Sequence, residues 1–235
     1  GGSEPETVLF ELDPGGAGHP LRIPIGEAHT LVFSPDGRTL AAASHRHHEI
    51  LLWDLAAGCE RARLRGHASP VLSLAIAPDG RSLASGGLSD QAILLWDLAT
   101  GRPLLRLEAP PGRVDSLAYS PDGALLASAC SSEIPVRVWN LKAARWDRPI
   151  GRSSWTRNSV AFSPHGRLLA TTGRDGVVRL WSVVTGAERG HVGSSDDRLS
   201  GVAFSPDGRM LAATGTDADI RLWDLAEVLK ARTEP

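Results

Sequence analysis

The sequence is poor in lysine, cysteine and aromatic residues, and it has no long apolar run. Among its 25 basic residues only Lys142 and Lys230 are lysine, and acidic residues bring the net charge to -2. A nucleic-acid footprint needs a concentrated basic surface, so this balance and the pI of about 6.5 argue against nucleic-acid partners. No apolar run approaches the ~20 residues of a membrane-spanning helix. We therefore expect no membrane partner either.

Only two cysteines are present, Cys59 and Cys130, and they fall in different kinds of segment. A disulfide framework is therefore not predicted. The first residues lack the basic, apolar and small-residue succession of a secretory signal, so a cytoplasmic location is expected. The preference for arginine over lysine, with abundant alanine, glycine and proline, favours a GC-rich bacterial source.

One hairpin pattern occurs five times in the sequence. The stretch "LVFSPDGRTLAAAS" (31–44) recurs with turn prolines spaced 42 or 43 residues apart, at Pro35, Pro78, Pro121, Pro164 and Pro206. A second series keeps the same period with tryptophans, at Trp53, Trp96, Trp139, Trp181 and Trp223. Two markers that share one period identify an internal repeat.

Each repeat unit contains strand-length apolar runs bounded by turn residues. In the fifth unit these runs cover 199–204, 209–214 and 219–223, and a fourth kind of strand is seen at 103–108. Helical periodicity is absent except at 225–232. In the Ser-Pro-Asp-Gly turn, proline fixes its φ and glycine takes the left-handed conformation that follows. About four short strands per unit predict an all-β propeller of four-stranded antiparallel blades.

The motif residues resemble those of the WD-repeat β-propeller family. Trp-Asp pairs stand at Trp53, Trp96 and Trp223, while Trp139-Asn140 and Trp181-Ser182 are variants of them. Further matches are the Gly66-His67 pair and an aspartate six residues before the tryptophan, at Asp90, Asp175 and Asp217. The resemblance covers roughly residues 20–225.

The resemblance implies a hydrogen-bonded network inside a blade. It would join a histidine, a second-strand hydroxyl, an aspartate and the tryptophan indole. Only the second unit has the full set, His67, Ser85, Asp90 and Trp96. The first unit has His47 where aspartate is expected, the third has Glu133, and the other units lack Gly-His. We therefore expect the other blades to depend more on apolar packing.

How the ring closes is left open by the sequence. We expect a segment 1–19, a propeller over 20–225 with units 26–66, 67–109, 110–152, 153–194 and 195–225, and a tail 226–235. Residues 7–16 resemble a third strand with its loop, and 20–25 a fourth strand. Either 20–25 pairs with 219–224 and seals five blades, or the array belongs to a larger ring. The family favours seven blades, so in the second case the chain is a piece of a longer array, and the remaining blades belong to that array or are supplied by another chain or a homo-oligomer.

The resemblance implies a non-catalytic scaffold that binds proteins or peptides, as the sensor or interaction module of a larger bacterial signalling protein. One alternative is a structural piece that completes a propeller with another chain. An enzyme with a channel active site is disfavoured, because the first strands carry few titratable groups besides Asp115. No cofactor or metal is expected, and the histidine-rich stretch 44–49 is interpreted as a solvated loop.

Binding residues are expected where the loops between second and third strands meet the loops between blades. Trp155 is the candidate anchor there, since tryptophan and arginine dominate interface hot spots. Buried loop packing is an equal alternative for Trp155. The other candidates, each of which is alternatively an ordinary solvated loop residue, are Arg46, His48, Arg113, Arg157, Arg174 and Asp197.

Overall fold

A computed structural model describes residues 7–12, 18–24, 28–44, 48–131, 136–150, 157–193, 198–217 and 219–230. Apart from one short helix, the regular structure of these residues is antiparallel β-sheet. A two-stranded hairpin comes first, formed by β1 (Thr7–Leu12) and β2 (Gly18–Ile23).

Four complete blades of four strands follow the hairpin. The first contains β3 (Ala28–Phe33), β4 (Thr39–Ser44), β5 (Glu49–Asp54) and β6 (Cys59–Arg65). The second contains β7 (Val71–Ile76), β8 (Ser82–Gly87), β9 (Ala92–Asp97) and β10 (Pro103–Glu108). The third contains β11 (Val114–Tyr119), β12 (Leu125–Cys130), β13 (Val136–Asn140) and β14 (Arg145–Pro149). The fourth contains β15 (Arg157–Phe162), β16 (Leu168–Gly173), β17 (Val177–Ser182) and β18 (Glu188–Gly193).

In the described part of the chain, the fifth blade has three strands, β19 (Leu199–Phe204), β20 (Met210–Gly215) and β21 (Ile220–Asp224), followed by helix α1 (Leu225–Lys230). Within each blade, consecutive strands pair in chain order. The first strands of successive blades, from β3 to β19, lie against one another. This arrangement confirms the predicted all-β propeller.

The repeated turn closes the hairpin between the first two strands of a blade. In the first blade, the Ser34 hydroxyl donates to Asp36 Oδ1 at 2.6 Å, and the same oxygen accepts the N–H of Arg38 at 3.1 Å. Gly37 has φ +69°, a left-handed conformation that favours glycine. The motif recurs because Ser34, Asp36 and Gly37 supply the hydrogen bonds and the left-handed conformation of this turn.

The core lies between neighbouring blades. Ile50 and Leu52 of the first blade pack in one buried cluster with Leu74, Leu94 and Trp96 of the second. Equivalent clusters join the second blade to the third, the third to the fourth, and the fourth to the fifth. Each blade therefore depends on its neighbours to cover its apolar faces.

Among the described residues, the hairpin β1–β2 corresponds to the outer two strands of a blade. Its register pairs Thr7 with Ile23, as Ile50 pairs with Leu64 in the first blade. Ile23 is fully buried in a cluster with Trp53 and other residues of the first blade. We name β1–β2 the half-blade.

A sealed five-bladed ring is not what the structure shows. Strand β2 pairs with β1, and within the described residues β21 pairs with β20 alone. The described residues of the segment 20–25 therefore do not complete the fifth blade. The boundary expected between residues 19 and 20 also falls inside β2, so the half-blade belongs to the propeller as one piece.

Helix α1 packs against the outer strand of the fourth blade. The Asp224 carboxylate caps it by accepting the N–H of Ala226 at 2.8 Å. Leu225 and Val228 are buried in the cluster between the fourth and fifth blades. No helix in the described part of the chain is long and apolar enough to cross a membrane.

The two cysteines differ in environment. Cys59 is exposed at the start of β6, Cys130 is buried at the end of β12, and both are free. Burial raises the pKa of the Cys130 thiol to about 11, although a hydrogen bond to Ser128 acts in the opposite direction.

Candidate functional site: the loop end of the propeller

Two kinds of loop meet at one end of the propeller, because the strands of each blade alternate in direction. They are the loops between second and third strands, such as 88–91, and those between blades, such as 66–70. We name this end the loop end. The opposite end, which carries the repeated Ser-Pro-Asp-Gly turns, is the turn end.

The structure brings the four predicted network residues of the second blade together. The Trp96 indole Nε1–H donates to Ser85 Oγ at 2.8 Å. Ser85 Oγ lies 2.6 Å from His67 Nε2, and His67 Nδ1 contacts the Asp90 carboxylate. The side chains of His67 and Asp90 are almost wholly buried. The network thus runs from the blade interior to the loop end.

The pKa of His67 is lowered, and the cause is its burial, which outweighs the opposite effect of the Asp90 carboxylate. We assign the neutral tautomer in which Nδ1–H donates to Asp90 and Nε2 accepts the Ser85 hydroxyl. Asp90 also accepts the N–H of Ala68 at 3.1 Å and the hydroxyl of Ser69. The loop 66–70 is therefore fastened to the loop that carries Asp90.

The other repeat tryptophans differ in the hydrogen-bond acceptor of their indole N–H. Trp139 donates to Ser128 Oγ at 3.0 Å, and Trp181 to Thr171 Oγ1 at 2.9 Å. In the first blade the corresponding second-strand residue is Ala42, and the buried Nε1 of Trp53 has no partner among the described residues. The fifth blade also has alanine at this position, but its Trp223 is only half-buried.

Arginine takes the place of the network histidine in the fourth and fifth blades. Arg179 forms a salt bridge with Asp175, and Arg221 forms one with Asp217. Our expectation that these blades depend on apolar packing was therefore incomplete. A signal was present in the sequence: an arginine stands two residues before the tryptophan in these units, where the unit with Gly-His has Leu94.

Three candidate binding residues lie on different blades at the loop end. His48 precedes β5, Arg113 precedes β11 and Arg174 follows β16, and all three are exposed. Arg113 Nη2 also pairs with Asp115 Oδ1 at 2.9 Å. Arg157 begins β15, but its side chain lies outside the described residues, as do Arg46, Trp155 and Asp197 entirely.

Asp115, the one titratable residue that stood out for channel chemistry, is held by its neighbours. Its Oδ2 accepts the Ser131 hydroxyl at 2.7 Å, and its Oδ1 pairs with Arg113. Among the residues that the structure describes, no group of three histidine, cysteine or acidic side chains is placed to hold a metal ion. The polar contacts that the structure describes at this end hold the loops in place.

These features define a WD-type β-propeller. The chain matches the family described as the IFT122 first beta-propeller over residues 27–233, and it belongs to that family. Propellers of this family are non-enzymatic scaffolds. IFT122 is a eukaryotic protein, so the match gives no support to a bacterial source. No curated protein matches the chain.

Proposed function

We propose that the chain is a non-catalytic scaffold that binds a protein or peptide at its loop end. The observation that carries this proposal is the exposure of His48, Arg113 and Arg174 on separate blades at the loop end. By contrast, the buried polar groups of this end, His67 and Asp90, are engaged within the blade. His48 and Arg174 are thus distinct from the side chains that hold the loops, whereas Arg113 is exposed and also pairs with Asp115.

The partner that suits this surface is a protein segment with acidic groups. Two of the three exposed residues are arginines, which bind carboxylates through paired N–H groups. Trp155 would add an aromatic anchor, and Arg46, Arg157 and Asp197 would extend the surface. A cytoplasmic module of a larger bacterial signalling protein is the setting that we infer from composition and resemblance.

Introducing negative charge at each of the two ends tests this proposal. We would compare His48→Glu/Arg174→Glu with the turn-end control Arg81→Glu/Arg209→Glu in affinity capture from the source lysate, with quantitative mass spectrometry. Proteins lost with the loop-end variant but retained with the control support loop-end binding. Equal recovery with both variants, or loss with the turn-end variant alone, contradicts it.

A second candidate function is completion of a propeller with another chain. The exposed apolar residues at both ends of the array favour it, since soluble monomers rarely leave large apolar faces uncovered. Native mass spectrometry distinguishes the candidates: a loop-end scaffold is captured as a monomer with its ligand, whereas blade completion adds the mass of a β-rich partner or a second copy.

A further inference from the structure

We propose that Asp79, in the turn between β7 and β8, is a covalent modification site at which aspartate converts to isoaspartate. The reaction is the isomerisation of an Asp-Gly sequence, and its only co-reactant is water. Four of the repeated turns contain Asp-Gly, at Asp36, Asp79, Asp122 and Asp207. The second turn is distinct because it lacks a hydrogen bond that the other three have. This inference is independent of loop-end binding.

The chemistry of isomerisation depends on the state of the aspartate side chain. The backbone nitrogen of Gly80 would attack Asp79 Cγ, so that an N–Cγ bond forms and a carboxyl oxygen leaves as water, which gives a succinimide ring. Water then opens the ring. Opening at Cγ restores aspartate, whereas opening at the main-chain carbonyl breaks its bond to nitrogen and leaves the backbone running through Cγ. Because a neutral carboxyl loses its hydroxyl far more readily than a carboxylate loses oxide, a contact that favours the ionised form slows the first step.

A serine hydroxyl holds the aspartate in the turns of the first, third and fifth blades. The Ser34 hydroxyl donates to Asp36 Oδ1 at 2.6 Å. The same bond is 2.5 Å long between Ser120 and Asp122 and between Ser205 and Asp207. In each case this bond is the largest cause of a lowered pKa of the aspartate. These three carboxylates are therefore kept ionised and in one orientation.

The turn of the second blade has Ala77 in place of that serine. Asp79 Oδ1 accepts the N–H of Arg81 at 2.9 Å, as its counterparts accept the corresponding N–H. Ala77 has no hydroxyl to donate, however, so the second restraint on the carboxylate is missing. It also cannot accept the N–H of Ser82, although Ser34 Oγ accepts the equivalent N–H of Thr39 at 2.9 Å.

The attacking nitrogen is the same in all these turns. The N–H of Gly80 donates to the carbonyl oxygen of Ala77 at 2.9 Å, just as the N–H of Gly37 donates to that of Ser34 at 2.9 Å. Both glycines have φ +69°. Asp79 is exposed to water, and so are its three counterparts. The backbone and the exposure are thus matched, and the serine hydroxyl is the difference that remains.

A fifth Asp-Gly sequence lies outside the repeated turns, at Asp175-Gly176. The Asp175 side chain is buried and forms a salt bridge with Arg179. An opposite charge at this place favours the carboxylate, as the serine hydroxyl does in the turns. We therefore expect Asp175 to be protected as well.

Incubation of the intact chain in water enriched in oxygen-18 tests the proposal, because each opening of the ring places one oxygen of the solvent in the side chain or the main chain. Cleavage after arginine separates the five Asp-Gly sites into the peptides 23–38, 66–81, 114–137, 175–179 and 199–209. Mass spectrometry with electron-transfer fragmentation then gives the label and the isoaspartate at each site. Asp79 should react at least about tenfold faster than the other four, since one hydrogen bond to a charged group is worth about that factor. In urea the Asp-Gly sites should react at similar rates.

Two variants with a matched control isolate the role of the hydroxyl. Ala77→Ser should slow the reaction at Asp79 about tenfold, and Ser205→Ala should speed it at Asp207 by a similar factor. The control is Ser163→Ala in the fourth blade, whose turn has His165 instead of aspartate. It removes the bond from the N–H of Leu168 to the serine, which is 3.1 Å long, and should leave the rate at every Asp-Gly site unchanged.

Several results would overturn the proposal. They are equal rates at the sites of the folded chain, an excess at Asp79 that persists in Ala77→Ser or is equally large in urea, and unlabelled Asp79 in the folded chain after the urea sample is fully labelled. Faster reaction in Ser163→Ala at the Asp-Gly sites would also overturn it, since loosening of the blades would then explain the rates. Circular dichroism confirms that each variant is folded during the incubation.

Discussion

Trp53 shows how one missing hydroxyl distinguishes the first blade from the next three. Those three blades give the indole a serine or threonine acceptor, whereas Ala42 offers none. A buried donor without a partner costs about 1–3 kcal/mol. The first blade bears this cost while keeping the same backbone.

Ala42→Ser should therefore stabilise the protein, by about 1 kcal/mol. The new hydroxyl would occupy the position of Ser85 and accept the Trp53 N–H. Urea denaturation measures the effect as a higher midpoint with an unchanged slope. The control is Ala213→Ser at the same position of the fifth blade, where Trp223 is half-buried and the gain should be smaller. A lower midpoint for Ala42→Ser would show that the site has no room for the hydroxyl.

His67 should make stability depend on pH. Because burial lowers its pKa in the folded state, its contribution is complete above its ordinary value of 6.5 and is lost as pH falls from there through the lowered value. The expected slope is at most about 1.4 kcal/mol per pH unit. Unfolding free energies of the unaltered chain and His67→Gln between pH 7.5 and 5.0 measure it. The two curves should converge toward low pH, and parallel curves would contradict the assignment of a neutral His67.

At the scale of the element, the aspartate before the third strand is partnered differently from blade to blade. Its partner is His67 in the second blade, Arg179 in the fourth and Arg221 in the fifth. The two arginine pairs differ in burial, since the Asp175 side chain is 7% exposed and that of Asp217 is 22% exposed. The two aspartate–arginine pairs should thus contribute unequally to the free energy of unfolding.

Asp175→Asn should destabilise the protein by about 2–4 kcal/mol, because it leaves the charge of Arg179 poorly compensated in a buried place. Asp217→Asn should cost less than about 1 kcal/mol, since water reaches that pair. Chemical denaturation of both variants gives the comparison. Equal losses would mean that the burial of the fourth-blade pair does not set its strength.

Much of each element was predictable from local residues. The Ser-Pro-Asp-Gly turn and the Trp96 network follow from residue types whose polar groups have few alternatives. The role of Arg179 was not predicted, because a lone arginine in a strand is compatible with simple solvent exposure. Only the blade geometry shows that its guanidinium reaches Asp175. The exposure of His48 and Arg174 was predicted from their place in loops. The network was predicted from residue types, whereas the binding candidates were chosen only by their place in these loops.

At the scale of the whole molecule, the array ends in two unlike apolar faces. The half-blade leaves Leu31 and Phe33 exposed, and the fifth blade leaves Ile220 and Leu222 exposed at 70% and 63%. The sequence predicted the surplus third strand but left open whether 20–25 pairs with 219–224, because pairing between such distant segments is not encoded in any local pattern. The pairing of β1 with β2 decided the question.

The exposed pair of the fifth blade should promote association between copies of the chain. Two unlike apolar faces allow head-to-tail contact, which need not close. Ile220→Asp/Leu222→Asp should reduce the concentration dependence of light scattering while changing the unfolding free energy by only about 0.5 kcal/mol. Leu104→Asp, at an exposed leucine of the outer strand β10, is the control. Equal effects of both changes would assign the association to general hydrophobicity.

The contrast between the two thiols gives the molecule a built-in attachment point. Maleimides and similar reagents react with thiolates, and a thiol with a pKa of about 11 offers almost none at neutral pH. Labelling of the folded chain should therefore stop at one dye per molecule, on the exposed Cys59 of the first blade. A fluorophore can thus be placed without altering any residue, and appearance of a second label would report that the third blade has opened.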